Sequence, residues 1–140
     1  MATPSKLDQF LKTARPENIQ CLFPNSKALL VSGQYIDRTM RKQKNAMCVA
    51  ANGRNSFVIA GALQAAQRAN SVLIVEIARS EGGTNAYCPV NFWNIAKITD
   101  GLCNQMGITI PVAIHADHFT IKKETDIDVA RDGRGGEYGC

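Results

Sequence analysis

The sequence predicts an α/β fold built on parallel strands, and two observations carry that expectation. Three apolar runs of strand length are near-continuous rather than alternating: AMCVAAN (46–52), SVLIVEIA (71–78) and ITIPVAIHA (108–116). Strands buried on both faces read this way, and such strands are parallel and covered by helices. Stretches of helical period separate the runs, which is the pattern of repeated right-handed crossovers. Two architectures share it, an open doubly wound sheet and a (β/α) barrel.

The elements follow in order. Residues 5–13 form a short helix on Leu7, Phe10 and Leu11. Pro16 and Pro24 bracket a loop. A second helix runs from about Lys27 to Lys44 on an imperfect stripe of Leu29, Leu30, Tyr35, Ile36 and Met40, interrupted by Gly33. After the first strand, Asn55 and Ser56 offer side-chain oxygens to unpaired first-turn N–H groups, so a helix starts there and ends near Ala69. The β-branched second strand leads into a loop, RSEGGTNAYCP (79–89). Asn91 caps the next helix, whose Phe92, Ile95, Ile98, Leu102 and Met106 fall at steps of three and four. Gly107 suits the left-handed residue past its end. The third strand closes the series.

Only three strands are visible, whereas a barrel of this kind needs eight and roughly 250 residues. Three parallel strands alone leave two open edges and one poorly covered face. Beyond Thr120, KKETDIDVA starts a further helix with Ile127 and Val129 inward. RDGRGGEYGC then has the composition of a disordered tail. The expected organisation is a helical extension over 1–45, a β/α region over 46–124 and an irregular tail over 125–140.

Composition narrows the function classes. A hydrophobic content of 45% with 20% charged residues describes a globular chain. The net charge of +4 suits anionic small molecules, and the Arg38, Arg41, Lys42, Lys44 cluster lacks the aromatic interleaving of a nucleic-acid surface. No apolar run reaches the ~20 residues of a membrane span. Five cysteines without a C-x-x-C pair argue against a disulfide framework or a cysteine zinc site. With no apolar signal core at the start, a reducing cytoplasm is expected.

In parallel α/β folds the C-terminal strand ends form the functional rim. Asn52 closes the first strand, the second runs into Arg79, Ser80 and Glu81, and the third delivers His115, Asp117 and His118. Both histidines of the chain lie in HADH. Imidazole is a zinc ligand and a nearby carboxylate moves protons. Residues 115 and 117 share a strand face while 118 points the other way unless the chain bends. One imidazole ligand with Asp117 beside it is therefore the metal reading, and a hydrogen-bonded polar strand end without metal is the other. SEGGTN (80–85) holds a phosphate through backbone N–H groups or is a plain loop. Asn52 is a site residue or a turn residue. Phe92 and Trp93 read as helix core, Cys48 and Cys103 as buried, and Cys88 as a loop thiol with no activating neighbour in sequence.

The stretch IPVAIHADH (110–118) resembles the class II, zinc-dependent fructose-bisphosphate (ketose-bisphosphate) aldolases. Upstream, Asn52 followed by IAGALQAA, the strand SVLIVEIA and the helix before ITIPV resemble that family's first strands and helices in order and spacing. The resemblance covers about Ala46 to His118. It implies the first three β/α units of a (β/α)8 TIM barrel. It further implies that Asp117 is the acid/base acting on the C4 hydroxyl, that His118 is one of three histidine zinc ligands, and that Asn52 positions substrate. His115 would support the strand end. Zinc, or another divalent metal, would polarise the ketone of a phosphorylated sugar, and a homo-oligomer is expected. The family usually has a serine ending the second strand. Ala78 stands there, with Ser80 two residues on as the substrate contact. The family's other two histidine ligands have no counterpart among the 140 residues. The chain is therefore expected to be a truncated portion, inactive alone. Tagatose and sedoheptulose bisphosphates are rival substrates. A non-catalytic fragment and a metal-free phosphosugar-binding module are rival roles.

Overall fold

The computed structural model describes residues 5–83 and 87–120. The expected helix over KKETDIDVA, the tail after it and part of SEGGTN lie outside the described residues. The elements are α1 (Lys6–Ala14), α2 (Glu17–Leu22), α3 (Gly33–Arg41), β1 (Val49–Asn52), α4 (Ser56–Arg68), β2 (Leu73–Ala78), α5 (Arg79–Gly82), α6 (Ile95–Met106) and β3 (Val112–Asp117). The strands form one sheet in the order β1-β2-β3. Both pairings are parallel.

Strand alternation divides the side chains between two faces. Leu73, Val75 and Ile77 of β2 are buried together with Val112 against Ile59, Leu63 and Ala66 of α4 and Ile95, Ala96 and Cys103 of α6. Each of the valine, leucine and isoleucine side chains, taken fully from water, contributes roughly 1.5–3 kcal/mol. Among the described residues, the opposite face is covered at its lower end. Ile74 and Ala113 pack there with Ala14 of α1 and with Ile36 and Met40 of α3. The helical extension thus closes the N-terminal half of the face that three strands alone leave bare. Among the described residues, the upper half, next to the strand C-termini, stays open.

Local chemistry explains the boundaries. Ser5 makes a capping box with Asp8, whose carboxylate reaches back to the Ser5 N–H at 3.0 Å. Asn55 accepts from the Val58 N–H at 3.0 Å to start α4. Asn91 accepts from Trp93 and Asn94 N–H groups, so it organises the turn before α6, which begins at Ile95. Gly107 ends α6 in the left-handed region at φ 64°. Gly107→Ala is expected to cost about 1 kcal/mol, because a Cβ is disfavoured at that φ while the space around it is open. Urea unfolding with an unchanged m-value checks this.

Two expectations for the extension need correction. The Pro16–Pro24 stretch is not a loop, because α2 forms within it and the Pro16 carbonyl accepts from the Ile19 and Gln20 N–H groups, both at 3.0 Å. Lys27–Lys44 is not one helix. The Val31 N–H donates to the Val112 carbonyl, and the Val112 N–H donates to the Leu29 carbonyl, both at 2.9 Å. Leu30 thereby pairs with Val112 as an isolated parallel bridge on the outer edge of β3. Ser32 then caps α3 through the Gln34 N–H. Pairing to a sheet edge overrides the helical period of 27–31. The third strand is also shorter than its apolar run, since Ile108 and Ile110 are buried ahead of Val112 without joining the ladder.

Candidate functional site

The register sets out the rim residues. Asn52, Glu76 and His115 lie in one row across the three strands, and Ala78 and Asp117 lie in the next row of β2 and β3. Glu76, His115 and Asp117 share the face whose lower end α1 and α3 cover, so they stand on its open upper half. His115 Nδ1 lies 3.0 Å from Glu76 Oε2, with side-chain exposures of 57% and 21%. One ligand atom each from Glu76, His115 and Asp117 come within 4.8 Å of one another.

His118 follows the strand in a left-handed conformation at φ 50°. This is the bend without which it would face away from Asp117. Its Nε2 sits 3.6 Å from Asp117 Oδ2, an ion-pair distance rather than a hydrogen bond. The imidazole is 86% exposed and the Asp117 carboxylate 32% exposed. The β3 end therefore presents a half-buried carboxylate flanked by imidazoles. That arrangement can accept and return a proton and can donate N and O ligands to a cation.

The ends of β1 and β2 are joined by a group that the sequence reading left without a role. Glu81, in α5, is 5% exposed. Its carboxylate accepts from Asn52 Nδ2 at 2.7 Å and from the Ala78 N–H at 3.2 Å, and pairs with Arg54 at 2.6 Å. The Asn52 amide, helped by the Ala78 N–H and the Arg54 charge, holds the Glu81 carboxyl below the usual glutamate range against the opposing effect of burial. Asn52 is engaged at both ends, because its Oδ1 accepts from the Arg54 N–H at 3.1 Å. Between them, Gly53 donates to the Glu76 carbonyl at 2.6 Å. An added Cβ there would sit 2.9 Å from Val75 Cγ1, so any larger residue would force the buried Val75 side chain to shift.

Asn52 thus lies at the rim with its amide fixed by Glu81. Ser80 is exposed on α5, directly after β2. Asp117 and His118 are brought together, and His115 is turned toward Glu76. Sequence reading missed Glu76, although the strand pleat of LIVEIA puts it on the face opposite Leu73, Val75 and Ile77. Glu81 carried no such signal, since its partner Asn52 is 29 residues away. Phe92 is buried as expected, and its ring packs edge-on to Phe119, with centroids 5.6 Å apart. Cys103 is buried, and desolvation pushes its thiol up to about 12, which leaves it protonated and inert. Among the described residues no helix is long and apolar enough to cross a membrane.

No protein-family model matches the chain. Over 56 residues the chain is 41% identical to the fructose-bisphosphate aldolases of Staphylococcus aureus strains Mu50 and COL. The match covers 40% of this chain and 18% of each relative, so the aligned stretch is under a fifth of the curated relatives' length. In part of its length, the chain is similar to fructose-bisphosphate aldolases.

Proposed function

We propose that this chain is a portion of a class II aldolase-type lyase, carrying the first three β/α units of its (β/α)8 barrel. The reaction is reversible cleavage of fructose 1,6-bisphosphate to dihydroxyacetone phosphate and glyceraldehyde 3-phosphate. One observation carries the reading: Asp117 ends β3 on the open rim, and His118 turns back beside it at 3.6 Å. The partial likeness to fructose-bisphosphate aldolases supports it.

In this reading the Asp117 carboxylate takes the proton of the C4 hydroxyl as the C3–C4 bond breaks. It returns the proton when the bond forms. His118 is close enough to stabilise the carboxylate charge and is one metal ligand. A bound zinc supplies Lewis-acid polarisation of the ketone. The 140 residues contain two histidines, so the resemblance's three-histidine site is not built from one copy of this sequence. Asn52 orients the substrate from the neighbouring strand end, held in place by Glu81. Ser80 is the substrate contact that stands in for the family's serine at Ala78.

A chimera tests the reading. Residues 46–118 replace the corresponding stretch of the Staphylococcus aureus aldolase. The folded chimera is expected to cleave fructose 1,6-bisphosphate in a chelator-sensitive manner. A folded, zinc-loaded chimera without cleavage would contradict the proposal.

A further inference from the structure

We infer that Glu76, His115 and Asp117 form a divalent-cation seat on the open face of the sheet, separate from the side that His118 occupies. The inference rests on the sheet geometry and shares only Asp117 with the aldolase reading. Three features point to it.

The first is convergence. Two register pairs of the β2–β3 ladder, Glu76↔His115 and Ala78↔Asp117, put the three side chains on one face of paired strands. Their ligand atoms fall within 4.8 Å of one another. In an octahedral shell with ligands at about 2.1 Å, adjacent ligands lie about 3 Å apart. The His115 Nδ1 to Glu76 Oε2 separation is 3.0 Å. The Asp117 oxygen, within 4.8 Å of the other two ligand atoms, would have to rotate closer to complete the set.

The second is charge. Two carboxylates share this half-buried patch, and like charges at such range disfavour each other. Among the described residues, Glu76 pairs with His115 and Asp117 with His118, and neither carboxylate pairs with a lysine or arginine. A divalent cation held between them would offset the two carboxylate charges.

The third is access. The seat lies on the part of the face that α1 and α3 leave open, and His115 is 57% exposed. Water can complete the coordination shell. Two carboxylates and one imidazole suit manganese, zinc or iron(II) rather than a thiolate-seeking ion. Asp117 has two oxygens, so it can serve the seat with one and face His118 with the other.

Manganese(II) alone is the probe, because the free thiols of Cys48 and Cys88 bind it poorly. Equilibrium dialysis of the full 140-residue chain is expected to show one ion per chain. Glu76→Gln and His115→Ala are each expected to weaken binding about tenfold or more, and His118→Ala less than about threefold. All three sites are partly exposed, and far-UV circular dichroism confirms that the variants fold. A readout on the unaltered chain needs no variant: the His115 ring resonances broaden at lower manganese than those of His118. Absence of saturable binding overturns the seat. So does binding removed by His118→Ala and untouched by Glu76→Gln and His115→Ala. That last result would leave the aldolase-type role of His118 standing.

Discussion

Asp117→Asn, placed in the aldolase chimera, is expected to lower kcat for fructose 1,6-bisphosphate cleavage by about 10²–10⁴-fold. Asparagine keeps the shape and hydrogen-bonding reach of the side chain but cannot carry the C4 proton. KM should change little, because substrate binding draws on other groups. Exchange of the C3 hydrogen of dihydroxyacetone phosphate with solvent should survive, since that half-reaction does not pass through the C4 hydroxyl. Rates of cleavage and of exchange, measured on the same preparation, separate the roles. Loss of both in equal measure would assign Asp117 to architecture or to the metal rather than to proton transfer. The position of the carboxylate makes the prediction specific. It is 32% exposed at the end of a strand, reachable by substrate yet partly shielded from bulk water.

Glu81→Ala is expected to destabilise the fold by about 2–4 kcal/mol, the largest effect on stability of any rim substitution. It leaves the Asn52 amide and the Ala78 N–H without their acceptor and Arg54 without its partner. Glu81→Gln should cost less, since it retains one acceptor oxygen. Acid should reproduce part of the effect. The folded state holds this carboxyl below its ordinary value, chiefly through the Asn52 hydrogen bond. Its stabilising contribution is therefore complete above the unfolded glutamate range. It is lost as pH falls through the lower, folded-state value. Urea midpoints of the parent chain should drop over that acid window, and those of Glu81→Ala should drop less. Parallel pH profiles would show that Glu81 does not govern the rim.

Much of the sheet was legible because its signals are local. The Val- and Ile-rich runs of β2 and β3, the Asn55 cap of α4 and the Gly107 stop of α6 all write their structure into neighbouring residues. The polar strand ends were legible for the same reason, since strand alternation alone puts His115 and Asp117 on one face. The bend at His118 was foreseen only as a condition, and the left-handed turn meets it. What stayed hidden depends on pairing across distance. Leu29–Val31 looked helical until Val112 supplied an edge to join. Glu81 looked like a loop residue until Asn52 and Arg54 closed around it. The α2 helix is too short for its period to stand out between two prolines. The covering of the lower sheet face by α1 and α3 is likewise invisible in either helix taken alone.

The central claim is that Asp117 and His118 belong to a rim site that receives a phosphorylated sugar. Its most direct test is a titration of the labelled 140-residue chain with dihydroxyacetone phosphate in the presence of zinc, followed by amide and imidazole NMR. Saturable shifts centred on Asn52, Asp117 and His118, with the Ile74, Ala113 and α3 signals unmoved, are the predicted result. Saturation centred on the covered lower end, or no saturable shift at the rim, would contradict the account.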